Sequence, residues 1–417
     1  MSERLLVSTV GISEYEETTF VLNDQRTTAS VSPSALTALL EPDQVLIAHT
    51  ETVREETQYV QHLRDVCEGN SVHATFVEVP LVSGRDDIDI ILDRLTTTIA
   101  GLEVTEVVLD VTHAFRSLQL AFYTSVVQLA GLGLVELEGI YYAENAGEGG
   151  TAQILDLTYL ATLLEWYHAL RSFRTAGTLG PLHELLESKR NRVYREGGEH
   201  PHLVTLESSI AGVSAYLDSG LPLEAGVAAD HAVETLEELD DTDFIGPEGA
   251  FLDPLEEQLR RFTVDQNPLP EKKTEIDLTV DELVRQRDVI LFYVETGRYW
   301  FALECARELF INRLLYTEYG PEVDWLDTDV RHESRIVLTG LAREYRSTPE
   351  QPPEAIRVWD ELSQYRNMHA HAGFDPNRTP TGQSVESVLL ELCDSVTSEQ
   401  FWTPLVGPAR EHTSDDA

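Results

Sequence analysis

The fold class this sequence predicts is an α/β domain of Rossmann type followed by an all-α domain, and three observations carry the prediction. Short β-branched runs alternate with helical stretches through the first 172 residues. The strand signal fades after Trp166, and the remainder of the chain reads as helices broken by loops rich in Gly, Pro and Asp, such as 197–201 and 240–249.

In chain order, the strand candidates run from Leu5 to Val10, Val45 to His49, Val72 to Val79 and Val107 to Val111. Helical patterns fill the gaps from Thr52 to Val66, Asp87 to Ile99 and Phe115 to Leu132, which predicts a mostly parallel sheet. In the second half, one long amphipathic helix is expected from Arg298 to Tyr319. Another is expected from Pro353 to Met368, with Ile356, Trp359, Leu362 and Tyr365 on one apolar stripe. The Pro-containing, charged stretch from Asn267 to Thr279 reads as a linker. The expected organisation is therefore an α/β domain over 1–172, a helical connecting region over 173–275, a second helical domain over 276–406 and a frayed acidic tail over 407–417.

Composition narrows the class. A 417-residue chain that is 42% hydrophobic has enough apolar content for sizeable cores. Its 73 acidic residues against 30 basic ones, with Lys189, Lys272 and Lys273 the only lysines, suit a halophile's cytosol. A carboxylate-rich surface stays soluble where salt screens it, because the Debye length falls to about 3 Å at about 1 M. Such a charge argues against broad non-specific nucleic-acid binding, so any RNA contact must be local and arginine-based. Cys67, Cys305 and Cys393 are scattered without metal-ligand spacing, so reduced thiols and no bound metal are expected. No apolar run reaches membrane-spanning length, and a cytoplasmic protein is expected.

Two segments carry candidate chemistry in the first half. The run from Leu109 to Arg116 hands a buried strand over to a helix. There the helix N-terminal N–H groups, with Thr112, His113 and Arg116, suit phosphate or ribose oxygens above the carboxyl edge of the sheet. The alternative is a plain cap by Asp110 and Thr112 with a solvated Arg116. The loop Gly11-Ile12-Ser13-Glu14-Tyr15 lies at the same edge of a parallel sheet, and Gly11 permits close backbone approach. Neither a dinucleotide-binding glycine fingerprint nor a P-loop occurs, so no such cofactor is implied.

The third segment runs from Arg366 through Asn367 to His371 and Gly373, at the end of a predicted helix. Arg and His together can cleave RNA without metal. The histidine moves protons at the 2′-hydroxyl or the leaving oxygen, and the arginine stabilises charge building on the phosphoryl group. The alternative is an ordinary helix C-terminus with Gly373 as its cap. The same Arg-to-His spacing recurs at Arg195 and His200, across a glycine loop and without a following Asn, and reads as coincidence.

Together these passages resemble the CRISPR-associated proteins of the DxTHG-motif family, in which a CARF sensor domain precedes a HEPN ribonuclease domain. The resemblance rests on Leu5 to Gly11 with Tyr15, on Asp110-Val111-Thr112-His113 followed by Phe115-Arg116, and on Arg366-Asn367 with His371. The segments Gly139-Ile140-Tyr141-Tyr142 and Leu164-Glu165-Trp166 also fit. Ala114 stands where the family has glycine.

The resemblance implies an antiviral effector whose CARF domain binds cyclic oligoadenylate through Gly11, Ser13, Tyr15, Asp110, Thr112, His113 and Arg116. It further implies a homodimer whose paired HEPN domains cut single-stranded RNA with Arg366, Asn367 and His371, leaving 2′,3′-cyclic phosphate and 5′-hydroxyl ends. No cofactor other than the activating ligand is expected.

Two rivals remain. A non-enzymatic sensor acting through its helical half would need a basic DNA-reading helix, yet the arginine-bearing helices are interrupted by acids, as at Arg343-Glu344 and between Arg357 and Glu361. A ring nuclease would cut the cyclic ligand with Thr112, His113 and Arg116.

Overall fold

The computed structural model describes residues 3–11, 15–51, 53, 58–70, 72–113, 116–144, 150–195, 197–198, 200–239, 247–264, 266–349, 351–371, 374 and 381–412. The chain divides into two compact units, Met1–Thr162 and Leu163–Ala417.

The first unit is a doubly wound α/β domain. Its elements are β1 (Arg4–Thr9), β2 (Thr18–Leu22), β3 (Gln25–Ala29), α1 (Ser32–Leu40), β4 (Gln44–Thr50), α2 (Gln58–Gly69), β5 (His73–Val79), α3 (Arg85–Gly101), β6 (Glu106–Asp110), α4 (Arg116–Gly131), β7 (Glu136–Ala143) and β8 (Thr151–Asp156). The strands form one sheet in the order β3-β2-β8-β7-β6-β1-β4-β5. Strands β5, β4, β1, β6 and β7 are mutually parallel, β8 runs antiparallel to β7, and β2 pairs antiparallel with β3.

Burial on both faces explains why the central strands are continuous apolar runs. Leu5, Val7, Leu46, Ala48, Val107 and Leu109 pack against Ile91, Leu95 and Ile99 of α3 and Leu118, Phe122 and Val126 of α4. The alternate residues Leu6, Val45, Ile47 and Val108 face Ala35 and Leu36 of α1 and Val60, Leu63 and Cys67 of α2. Spacings of four residues along α3 produce its single buried stripe.

All four predicted strands form, but the sequence reading missed β2, β3, β7 and β8. Polar residues hide β3, and Glu136, Glu138 and Gly139 hide β7. The tight turn between β2 and β3 places Asn23 in the left-handed region, φ 53°. The sheet is accordingly mixed. Helix α2 begins at Gln58, and part of its predicted first turn lies outside the described residues.

The second unit is helical: α5 (Tyr159–Ala176, beginning in the first unit), α6 (Gly180–Arg195), α7 (Pro201–Asp218), α8 (Pro222–Glu238), α9 (Leu252–Leu259), α10 (Val280–Glu295), α11 (Tyr299–Tyr319), α12 (Thr328–Ser347), α13 (Glu354–Ala370), α14 (Gly382–Ser395) and α15 (Glu399–His412). The expected domain boundary at 172 falls inside α5. One apolar cluster extends from Trp166 to Leu405, and Ile276 and Leu278, from the predicted linker, are buried in it. Trp325 ties that segment down by donating Nε1–H to Ile276 O at 3.0 Å. Helix α15 continues to His412, through positions read as tail in the sequence.

Helix α11 differs from expectation in kind. It is not amphipathic: every residue from Leu309 to Leu315 is buried, because α10, α12, α13, α14 and α15 all pack around it. The polar members of that run are satisfied internally. Arg313 donates Nε–H to Val396 O at 2.8 Å, and Asn312 donates to Gln286 Oε1 at 2.7 Å.

Candidate functional sites

In the first unit, the direction of winding reverses between β1 and β6, which lie side by side with β4 beyond one and β7 beyond the other. A crevice outside the carboxyl ends of the strands at such a switch point is where open α/β sheets bind ligands. Gly11 follows β1, and Asp110 ends β6, so topology brings both sequence-predicted segments to this point.

The motif residues there are largely occupied in building the loop. Asp110 is 1% exposed. Its Oδ2 accepts from Ser8 Oγ at 2.6 Å and Ser32 Oγ at 2.7 Å, and its Oδ1 accepts the Thr112 N–H at 3.0 Å. Thr112 Oγ1 accepts the Ala143 N–H at 2.9 Å, which fastens the loop to the end of β7. The His113 carbonyl accepts from Thr9 Oγ1 at 2.6 Å and Gln119 Nε2 at 3.2 Å.

His113 Nε2 accepts the Ser32 N–H at 3.2 Å, so the ring proton sits on Nδ1. Burial pushes the His113 pKa down, and the attraction of Asp110 only partly offsets it. A neutral imidazole results, stacked edge-on against Tyr15 at 4.7 Å between ring centroids. Tyr15 Oη in turn accepts the Gly11 N–H at 3.2 Å, and a Cβ at Gly11 would meet that oxygen at 3.1 Å. Arg116, exposed at the first position of α4, is the cation the predicted set offers an anionic ligand. Ser13 lies outside the described residues, as do Ala114 and Phe115.

Sequence reasoning missed Ser8, Thr9 and Ser32, which hold the motif. Two hydroxyl residues at the end of an otherwise apolar strand were a signal for Ser8 and Thr9. Nothing in the local sequence marks Ser32, which is brought in from α1.

In the second unit, the stripe of α13 is seen as expected. Ile356, Trp359 and Leu362 are buried, and Tyr365 is half-buried. Arg366 comes one turn after Leu362 at the edge of the core, where its Nε–H donates to Glu304 Oε1 of α11 at 3.0 Å. No hydrogen bond joins its Nη atoms to a described residue. Asn367, His369 and His371 are exposed, and His371 caps the helix by donating its N–H to Asn367 O at 3.1 Å. The structure thus gathers Arg366, Asn367 and His371 at one helix end. Within one chain it does not join Arg366 to His371. Five residues of α-helix set them about 140° apart around the axis, whereas Asn367 and His371 share a face. The other Arg-to-His match has no such setting: Arg195 ends α6 and His200 caps α7.

The strand order defines a Rossmann-like domain with a topological switch point between β1 and β6, followed in the chain by a helical unit. Residues 5–145 match the family model described as the CARF domain of the CRISPR system endoribonuclease Csx1. A 90-residue segment is 32% identical to CRISPR-associated protein MJ1674 of Methanocaldococcus jannaschii, covering 21% of this chain and 14% of that protein. Among solved structures, Enterococcus italicus Csm6 bound to cyclic hexa-2'-fluoro-hexa-dAMP aligns over 98% of this chain and 100% of that one, at 9% identity and a TM-score of 0.42. Residues 5–145 of this chain, within the first unit, are thus similar to a CARF domain, and the chain spans only a small part of the curated relative it matches. Among the described residues, no helix is long and apolar enough to cross a membrane.

Proposed function

We propose that this protein is a single-stranded RNA endoribonuclease switched on by cyclic oligoadenylate bound at the β1/β6 crevice of a CARF-type domain. The observation that carries the reading is the Arg366, Asn367 and His371 set on one helix end in a chain whose first unit is similar to a CARF domain. The matched family model is described as the CARF domain of an endoribonuclease.

In this reading His371 takes the 2′-hydroxyl proton of the substrate while that oxygen attacks the adjacent phosphorus. The bond to the 5′ oxygen breaks, that oxygen regains a proton, and the products carry a 2′,3′-cyclic phosphate and a 5′-hydroxyl. Arg366 stabilises charge on the phosphoryl oxygens, its orientation fixed by Glu304. The angular separation of Arg366 and His371 around α13 favours a site completed by two copies, in which the Arg366 of one protomer serves the His371 of the other.

The test is cleavage of a fluorescent single-stranded RNA in molar potassium chloride, with and without cyclic oligoadenylates of several ring sizes. Cleavage is expected to need one ring size and to fall by about 10²- to 10⁴-fold in His371→Ala. Tight ligand binding without cleavage, or cleavage indifferent to His371→Ala, overturns the proposal.

A further inference from the structure

The chain carries 73 acidic residues against 30 basic ones, so a cavity lined by cations and no carboxylate is out of keeping with its surface. One such cleft lies between α11 and α12. It encloses about 470 Å³ and is lined by Arg307, His332, Arg335, Ile336, Thr339, Gly340 and Arg343. The α12 residues recur at three- and four-residue intervals and so form one face of that helix. Arg307 comes from α11, one turn on from Glu304, the partner of Arg366.

The cations in the cleft are poorly neutralised. Arg343 is exposed and makes no ion pair with a described residue. The buried Nε of Arg335 has no hydrogen-bond partner among the described residues, and its Nη2 meets only His332 Nδ1, at 3.3 Å. Arg307 shares Glu308 with Arg331. Burial, together with the charges of Arg366 and Arg335, pushes the Arg307 pKa down, while Glu308 and Glu304 pull it back up. Arg307 therefore feels both the cleft and the proposed catalytic arginine. Ile336, 57% exposed, adds an apolar surface beside the guanidinium groups.

We infer that this cleft binds the phosphodiester backbone of single-stranded RNA, with Arg335 and Arg343 as phosphate contacts that lead the strand toward Arg366. Guanidinium forks pair with phosphate oxygens in two-point fashion, and an exposed aliphatic side chain among them suits an unpaired strand with its bases turned out. A local cluster of this kind also resolves how a chain of net charge −43 holds RNA at all. The inference rests on the nuclease reading for its choice of ligand, and its test is kept separate from cleavage.

Full-length protein carrying His371→Ala, which spares the RNA, is titrated with a short fluorescein-labelled single-stranded RNA across a series of potassium chloride concentrations. Arg335→Gln with Arg343→Gln is expected to weaken binding about tenfold or more and to flatten the slope of log K against log salt by roughly 1.4, two phosphates at about 0.7 each. Arg343→Gln alone, at an exposed position, is expected to flatten it by about 0.7 and leave the unfolding midpoint unchanged. A slope indifferent to both substitutions overturns the inference. So does a fall in molar mass by light scattering, which would make the cleft a contact between copies. RNA that binds with an arginine-dependent slope but is never cut by the unsubstituted protein keeps the cleft and sinks the nuclease reading. RNA cut through His371 with an indifferent slope does the reverse.

Discussion

Asp110 separates two accounts of the Asp110-to-His113 motif, one in which it would touch the proposed ligand and one in which it builds the loop. Asp110→Ala deletes three hydrogen bonds to a carboxylate that is 1% exposed, those from Ser8 Oγ, Ser32 Oγ and the Thr112 N–H. Bonds to an ionised acceptor contribute about 1.5 to 3 kcal/mol each. Relief of burying the charge offsets several kcal/mol of that sum, and a serine hydroxyl can turn to another acceptor, as Ser8 can to the Thr9 carbonyl. A net loss of roughly 3 kcal/mol is expected, about 100-fold in an opening equilibrium. Asp110→Asn keeps the shape and one acceptor oxygen and should cost about 1 to 2 kcal/mol.

All five tryptophans lie between Trp166 and Trp402, so their fluorescence reports the helical unit and misses this change. Hydrogen exchange at the Thr112 amide is the suitable assay, with cyclic oligoadenylate affinity measured in parallel. Exchange should accelerate about 100-fold in the alanine variant, and affinity should fall in the same order, Ala more than Asn. If the exchange rate is unchanged while ligand binding disappears, Asp110 contacts ligand directly and the positioning argument fails.

Two more outcomes are expected from buried ionisable groups. Burial lowers the His113 pKa from its ordinary value of 6.5, so the unfolded chain binds the proton more readily than the folded one. That contribution to stability is therefore full above pH 6.5 and is lost as pH falls through the lower folded value. His113→Gln, whose amide oxygen can still accept the Ser32 N–H, should show a smaller loss in first-unit stability between about pH 7.5 and about pH 5, measured by hydrogen exchange. An identical loss in both proteins would assign it to another group. In the helical unit, Lys189 Nζ meets Glu248 Oε1 at 2.5 Å with both side chains almost fully buried, and burial, then Arg192, lowers the lysine pKa to about 8. Lys189→Ala should destabilise that unit by about 3 to 5 kcal/mol in urea unfolding followed by tryptophan fluorescence, and Lys189→Met with Glu248→Leu should recover most of it.

The sequence by itself determined the architecture and the candidate chemistry. Central strands buried on both faces are continuous apolar runs, so β1, β4 and β6 announce themselves. The Asp110 to His113 and Arg366 to His371 segments are contiguous in the chain and need no fold to be recognised. Strands β3 and β7 were not legible, because polar edge residues and a glycine leave no apolar period to count. Nor was the character of α11, since a helix surrounded by five others is selected by its neighbours and not by one face of its own.

The tertiary structure alone decided what the motif side chains do. Ser8 and Ser32 lie 102 and 78 residues from Asp110 in sequence, yet they supply the donors that turn it inward. Glu304, 62 residues before Arg366, holds that arginine, and Arg307, Arg335 and Arg343 share a cleft only because α11 and α12 pack together. Hydrogen bonds and charge interactions act over a few ångströms in space, whereas sequence patterns report only neighbours along the chain.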